Sequence, residues 1–247
     1  VSVYYRMTGN IADSSLNALW ELLRANTFDP LIQQDLDRIP QVLNARGSHS
    51  SWADSVAGDM ERHYSPGRTW EVTARAIVQL LELGDILDVA SGDGVLAELL
   101  APHARSIKCL DISPRVVKAG KKRLRDYSNV HFEPGDMHDL PVEDASVDTV
   151  LLMHALTYTS EPLAVFEEVN RVLRPGGQLL AATLQKHAHK NAVMAYNHLN
   201  LGFTESQLRK LCTRAGLEPQ NIRISAVEKR TPNFEVLTLL AAKPATA

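Results

Sequence analysis

The stretch Ile86-Leu-Asp-Val-Ala-Ser-Gly-Asp-Gly94 constrains the fold of this chain more than any other, because it reads as a buried strand that breaks into a glycine turn and opens a helix. Ile86, Leu87 and Val89 form the apolar run of a strand covered on both faces. Gly92 and Gly94 permit positive φ and an approach to the backbone that a Cβ would block. Val95, Leu96, Leu99 and Leu100 then supply the stripe of a helix packing back onto the sheet. A turn of this kind offers backbone N–H groups to a ligand, although on its own it also fits an ordinary tight connection.

The next segment narrows the ligand. Ser106-Ile-Lys-Cys-Leu-Asp-Ile112 is a second short apolar strand, and its acid, Asp111, follows Asp88 by 23 residues. That spacing is close to the roughly 20 residues at which a carboxylate on the second strand tip accepts hydrogen bonds from ribose hydroxyls. A dinucleotide fold wants G-x-G-x-x-G with a helix N-terminus aimed at a pyrophosphate. Here Ala90 stands at the first glycine, and Asp93 inside the turn would repel a pyrophosphate. NAD and FAD are disfavoured, whereas a cationic nucleoside meets no such objection.

A third strand runs into Gly135-Asp-Met-His-Asp-Leu-Pro141 and presents Asp136 and Met137 at the same carboxyl edge. Ala145 to His154 reads as a fourth strand and Glu161 to Leu173 as a helix. Arg174-Pro-Gly-Gly177 then breaks that helix before a fifth strand, Gln178 to Leu184. With these motifs in place, roughly Trp70 to Lys243 resembles the class I methyltransferases that use S-adenosylmethionine, close to the type 11 methyltransferase domain. The matching strings are D-V-A-S-G-D-G, C-L-D-I, G-D-M-H-D-L-P, V-D-T-V-L-L-M-H and R-V-L-R-P-G-G-Q.

That resemblance implies roles for particular positions. Asp88, Ala90, Ser91 and Gly92 would line the methionine part of S-adenosylmethionine, and Asp111 would bind the ribose hydroxyls. Ile112 would pack on the adenine, Asp136 would accept from its amino group, and the Met137 backbone would meet the ring edge. Met153, at the tip of the fourth strand, would join this set, and S-adenosylhomocysteine would bind as product or effector. Ala90 departs from the glycine usual in the family, which implies a slightly reshaped turn rather than lost binding. The fourth strand lacks the N-P-P-Y string of methylators acting on adenine or glutamine amino groups.

Repetition of strand and helix, with strands near residues 86, 106, 130, 148, 178, 220 and 235, predicts an α/β, Rossmann-like, mostly parallel seven-stranded sheet. Asn221 to Lys229 and Phe234 to Ala242 are separated by only Arg230-Thr-Pro-Asn233, too short for a crossover helix. One of the pair should therefore run antiparallel at the sheet edge. Thr204 with Gln207 spells a capping box that opens a late helix.

Upstream, Val1-Ser-Val-Tyr-Tyr-Arg6 alternates like a strand, and Ser14 to Arg24 carries the apolar stripe Leu16, Leu19, Trp20, Leu23. This resembles the last wing strand and dimerisation helix of an ArsR-type winged-helix repressor, without the recognition helix. Residues 1–48 are read as wing end, dimerisation helix and linker helix, and 49–247 as the S-adenosylmethionine-binding domain, with 49–83 as lid helices contributing Tyr64 and Arg68. The resemblance suggests the carboxyl part of a repressor–methyltransferase fusion, a homodimer through residues 14–26, and contact with DNA only through a winged-helix domain absent from this sequence.

Composition is consistent with this reading. A chain of 247 residues that is 45% hydrophobic can bury a substantial core. No apolar run reaches the length of a membrane span and no signal peptide opens the sequence, which points to the cytoplasm. With 29 acids against 26 bases the net charge of −3 argues against general electrostatic binding to nucleic acid. Cys109 and Cys212 are too isolated for a disulfide or zinc site, and Lys186-His-Ala-His-Lys190 lacks a matched third ligand, so no metal is expected.

His154 and Tyr158, near the fourth strand tip, are the candidate catalytic residues. His187, His189, Tyr196 and His198 follow the fifth strand. Two functions remain open at this point: an enzyme methylating a small molecule, or a domain sensing S-adenosylmethionine or S-adenosylhomocysteine for a transcriptional regulator.

Overall fold

The computed structural model describes residues 70–81 and 83–245, together with Leu22 and Ile39. The chain divides into two compact units, Val1–Thr69 and Trp70–Ala247. In the first unit Leu22 and Ile39 are helical and exposed. The expected wing strand, the dimerisation stripe Leu16, Leu19, Trp20 and Leu23, and the lid residues Tyr64 and Arg68 lie outside the described residues.

The second unit is a doubly wound α/β sandwich. In chain order its elements are α1 (Trp70–Val78), β1 (Leu83–Val89), α2 (Val95–Leu100), β2 (Ala104–Asp111), α3 (Pro114–Arg123), β3 (Val130–Pro134), β4 (Val147–Met153), α4 (Pro162–Val172), β5 (Leu173–Leu184), α5 (Lys190–Met194), α6 (Glu205–Arg214), β6 (Glu218–Val227) and β7 (Glu235–Ala242). Short 3-10 turns occupy Ala101–His103 and Leu156–Tyr158. The seven strands pair in the order β3-β2-β1-β4-β5-β7-β6.

From β3 to β5 every pairing is parallel. The expected antiparallel strand is β7, which is antiparallel to both β5 and β6. It lies one place in from the rim, with β6 outermost, so the short connection between them returns the chain into the sheet rather than along its edge. β6 runs in the same sense as the parallel strands, which puts the loop joining it to β7 at their carboxyl ends.

Each face of the sheet has its own core. On one side Val165, Phe166 and Val169 of α4 and Leu208 and Cys212 of α6 pack on Leu87, Val150, Leu179 and Leu239. On the other, Ala97 and Leu100 of α2 and Val117 of α3 pack on Ile86, Ile107, Cys109 and Phe132. The ring of Phe132 lies beneath two glycines: a Cβ on Gly120 would come within 2.4 Å of its Cε1, and one on Gly94 within 2.6 Å of its Cζ. Those absent methyl groups let α3 and the start of α2 settle onto the sheet beside the glycine turn.

α4 stops at Val172, just before Arg174-Pro-Gly-Gly177, and those four residues belong to β5. That strand therefore starts at Leu173 rather than Gln178. Leu173 pairs with Val147, and a register shift precedes the Thr149 to Gln178 pair. The stretch bulges from the sheet, with Gly176 left-handed at φ 80°. Arg174 anchors it: its Nη1 donates to Asp148 at 2.7 Å and to Asp85 at 3.0 Å, tying β5 to the starts of β4 and β1. At the opposite, carboxyl edge β1 and β4 lie side by side at the centre, where the strand order reverses direction. Ligands of open α/β sheets bind in the crevice outside such a point.

Candidate functional site

Three strand tips build the left half of this rim. Ala90, Gly92 and Gly94 all take left-handed backbone, at φ 55°, 58° and 84°. The alternation of left-handed residues lets the chain turn sharply from β1 into α2, whose N-terminus is Gly94 with no side-chain cap. The Ser91 N–H donates to the Leu110 carbonyl at 2.9 Å and so ties the turn to β2. A Cβ on Gly92 would meet nothing within 4 Å, so this bend faces open space.

Asp88 lies just below that space, 2% exposed, with its Oδ2 buried and without a partner among the described residues. Burial alone pushes its carboxyl up to about 7. Cys109 sits opposite it in register on β2. Burial, and then the Asp88 charge, push its thiol up, so Cys109 is a packed and unreactive thiol.

Asp111 ends β2 half-buried. Its Oδ2 accepts from the Gly92 N–H at 3.2 Å and its Oδ1 from the Ser113 N–H at 2.9 Å. Each oxygen keeps a further lone pair for hydroxyl donors. Ile112 is 73% exposed beside it, an apolar platform at the strand tip. Asp93 pairs with Arg123 of α3 at 3.2 Å. Its charge is thus taken up outside the turn, which weakens the electrostatic argument drawn from it against a pyrophosphate.

At the third tip the Asp136 Oδ1 accepts from the His138 N–H at 2.9 Å and contacts the His138 Nδ1 at 2.6 Å. These two contacts hold its carboxyl below the usual range despite partial burial. The His138 Nε2 reaches the Thr159 hydroxyl at 2.7 Å and links this loop to the one after β4. Met137 is partly buried against the core on the α4 side of the sheet. The Asp-x-His spacing was visible in the sequence, but His138 was not singled out there. Behind the loop, Arg171 grips the carbonyls of Leu140 and Val142, and Glu168 accepts from the Leu140 N–H.

The right half of the rim is a cleft of about 370 Å³. His154 and Tyr158 enter it from the end of β4, Tyr196 and His198 from the segment after α5, and Arg230 and Phe234 from the loop between β6 and β7. His154 is left-handed at φ 60°, with its N–H donating to the Ala182 carbonyl at 2.8 Å. Met153 is partly buried and packs toward the opposite core from Met137.

His154 and Tyr158 therefore share one cavity, as their sequence positions suggested. The β6–β7 loop had been read only as a short connection, and its part in the cleft follows from the direction of β6. Among the described residues no cluster of His, Cys, Asp or Glu could hold a metal ion. Nor is any helix among them long and apolar enough to cross a membrane.

Comparison with known proteins agrees with this geometry. Residues 87–181 match a family model described as a methyltransferase domain. The chain is 28% identical over 155 residues to a demethylmenaquinone methyltransferase of Clavibacter sepedonicus, covering 61% of each chain. It is 33% identical over 144 residues to a malonyl-[acyl-carrier protein] O-methyltransferase of Hahella chejuensis, covering 54% of this chain and 50% of that one. It thus spans less than two thirds of the length of these curated relatives. Among solved structures, a geranyl diphosphate methyltransferase in complex with S-adenosylmethionine superposes with a TM-score of 0.60 at 16% identity, over 81% of this chain and 94% of the other. Residues 87–181 are thus similar to methyltransferase domains, and the second unit shares its fold with the geranyl diphosphate methyltransferase solved with S-adenosylmethionine.

Proposed function

We propose that this chain transfers the methyl group of S-adenosylmethionine to a small molecule held in the cleft between His154 and the β6–β7 loop. The observation that carries this reading is the adjacency, at neighbouring strand tips, of a turn facing open space above an unpartnered buried acid and a second, separately lined cavity. An enzyme of this kind needs both compartments, whereas a binding module needs only the first.

The residues fit the cofactor. Bound S-adenosylmethionine supplies a methyl group on a positively charged sulfur. Asp88, whose carboxyl burial pushes up to about 7, is driven to the carboxylate when a cationic group lies beside it, since a nearby positive charge favours the ionised form. Asp111 would take the ribose hydroxyls and Ile112 one face of the adenine, with Asp136 and the Met137 backbone toward its edge. Ala90, Ser91, Gly92 and Met153 would take the methionine portion. The chain's own task is then alignment and exclusion of water, because methyl transfer is an in-line displacement. A small acceptor is in keeping with the relative named as a demethylmenaquinone methyltransferase.

Calorimetry with S-adenosylmethionine and S-adenosylhomocysteine on this chain tests the first compartment, and both should bind saturably. Transfer of a labelled methyl group into a pool of small-molecule acceptors tests the second. Failure of both ligands to bind would defeat the reading. Binding with no transfer to any acceptor would leave a ligand-binding domain in place of an enzyme.

A further inference from the structure

Resting on the reading of methyl transfer above, we propose that the acceptor is a hydroxylated aromatic compound and that His198 is the catalytic residue that takes its hydroxyl proton. The cleft is walled by flat rings, Tyr158, Tyr196 and Phe234, with Leu184, Val193 and Pro232 between them. A planar aromatic guest matches such walls, and 370 Å³ lies near the lower end of small-ligand cavities, which start at about 300 Å³.

His198 is fixed in that wall from two sides. Its ring meets the Tyr158 ring edge-on at 5.1 Å and 80°, and the Tyr196 ring at 6.3 Å and 50°. The residues that follow it are bonded to the 3-10 turn after His154. The Leu199 N–H donates to the Thr157 carbonyl at 2.8 Å, and the Asn200 Nδ2 donates to the carbonyls of Leu156 at 2.8 Å and Thr159 at 3.0 Å. The Nδ1 of His198 is buried and has no partner among the described residues. That nitrogen is closed off from the cleft as the ring stands, and a turn of the ring toward the cavity that His198 lines would bring it to a ligand donor and satisfy it.

The charge environment agrees with the geometry. Burial, and then the facing His154, hold His198 below the ordinary histidine range, so it stands neutral and ready to accept. The other titratable groups around it are Tyr158 on the 3-10 turn, Tyr196 on its own segment, His187 after β5, and Glu228 with Arg230 on the β6–β7 loop. In the step proposed, the acceptor oxygen forms its bond to the methyl carbon while the methyl–sulfur bond breaks and leaves its electron pair on sulfur. The hydroxyl proton passes to the ring nitrogen of His198 and from there to water. No oxidant or further reactant is needed.

The test uses 4-nitrophenol, whose phenolate is coloured, and needs no cofactor. Titrated with the chain, the probe should bind saturably, and its apparent pKa should fall by about 1 unit or more, as expected for a phenolate paired with an imidazolium. His198→Gln should bind the probe within about threefold, by equilibrium dialysis, and leave its pKa at the free value. Absence of saturable binding, or an equal pKa shift in His198→Gln, overturns the proposal. Should that variant fail to fold, the histidine proton resonances of His187→Gln decide, since that change removes the other histidine held low: the depressed imidazole that remains must gain a proton as the probe binds, and its failure to do so also overturns the proposal. Donor calorimetry is independent of this readout. A chain that binds S-adenosylmethionine but ignores the probe refutes only the present inference, and the reverse refutes only the reading it rests on.

Discussion

Ala90 and His154 end the neighbouring strands β1 and β4 in the same left-handed backbone conformation, at φ 55° and 60°. Neither is glycine, so each stores strain of about 1 kcal/mol or more at the point where the strand order reverses. At Ala90 the strain is of the kind a glycine would relieve. At His154 it turns the chain out of β4 into the 3-10 turn that carries Tyr158 and anchors the residues after His198.

Replacing Ala90 with glycine should therefore stabilise the fold slightly. Relief of about 1 to 2 kcal/mol of left-handed strain is opposed by roughly 0.4 to 1 kcal/mol of extra freedom in the unfolded chain. A rise in the denaturant midpoint equivalent to about 0.5 to 1 kcal/mol is expected, with affinity for S-adenosylmethionine unchanged within twofold. A lower midpoint would show that the Ala90 methyl makes packing contacts worth more than the strain.

Asp88 gives a pH signature. Its folded value, about 7, lies above the ordinary 3.8, so the folded state holds a proton that the unfolded state has released. Stability from this group is full below about pH 4, falls as pH rises between the two values, and is lost above the folded one. Asp88→Asn removes the penalty, so the variant should gain Tm relative to the parent at about pH 8 and show no gain near pH 4. The same change should weaken S-adenosylmethionine by roughly tenfold or more, because a cationic group beside Asp88 loses its counter-charge. Thermal melts across pH, with and without ligand, check both halves.

Most of what positions this site could be read from the sequence, because it is local. The strand, glycine turn and helix at 86–100, the acid of Cys-Leu-Asp-Ile and the Thr204 to Gln207 capping box each depend on residues within one or two turns of chain. In the box the Thr204 hydroxyl accepts from the Gln207 N–H at 3.2 Å, and the Gln207 side chain accepts from the Thr204 N–H at 2.8 Å. What escaped depends on contacts far apart in sequence. Arg174 ties the bulged start of β5 to the sheet through Asp85, 89 residues away. β7 enters the sheet between β5 and β6, and that arrangement brings Arg230 and Phe234 to the cleft. A short linker between two strands does not reveal which of them will be outermost.

Asp111 has a double duty that separates two variants. Asp111→Ala removes the acceptor for ribose hydroxyls and also leaves the Gly92 and Ser113 N–H groups without their partner. Calorimetry should show S-adenosylmethionine weakened by about 1 to 3 kcal/mol, with a loss of stability of about 1 kcal/mol in the ligand-free chain. Asp111→Asn keeps one carbonyl acceptor and should lie between the two. Unchanged affinity in the alanine variant would remove Asp111 from the ribose site.

The wedge formed by Phe132 under Gly94 and Gly120 can be tested without touching any ligand contact. Gly120→Ala places a methyl group within 2.4 Å of the Phe132 ring, in the body of α3 where the backbone tolerates alanine. Overpacking of this kind costs about 1 to 3 kcal/mol, while alanine returns roughly 0.5 to 1 kcal/mol through helix propensity, so a net loss is expected. Phe132→Leu alone leaves a void and should also destabilise. The two changes together should cost less than their sum, since the smaller side chain makes room for the added methyl group. Strict additivity in a double-mutant cycle would mean that α3 moves away as a body. S-adenosylmethionine affinity should then fall as well, because Ser113, bonded to Asp111, heads that helix.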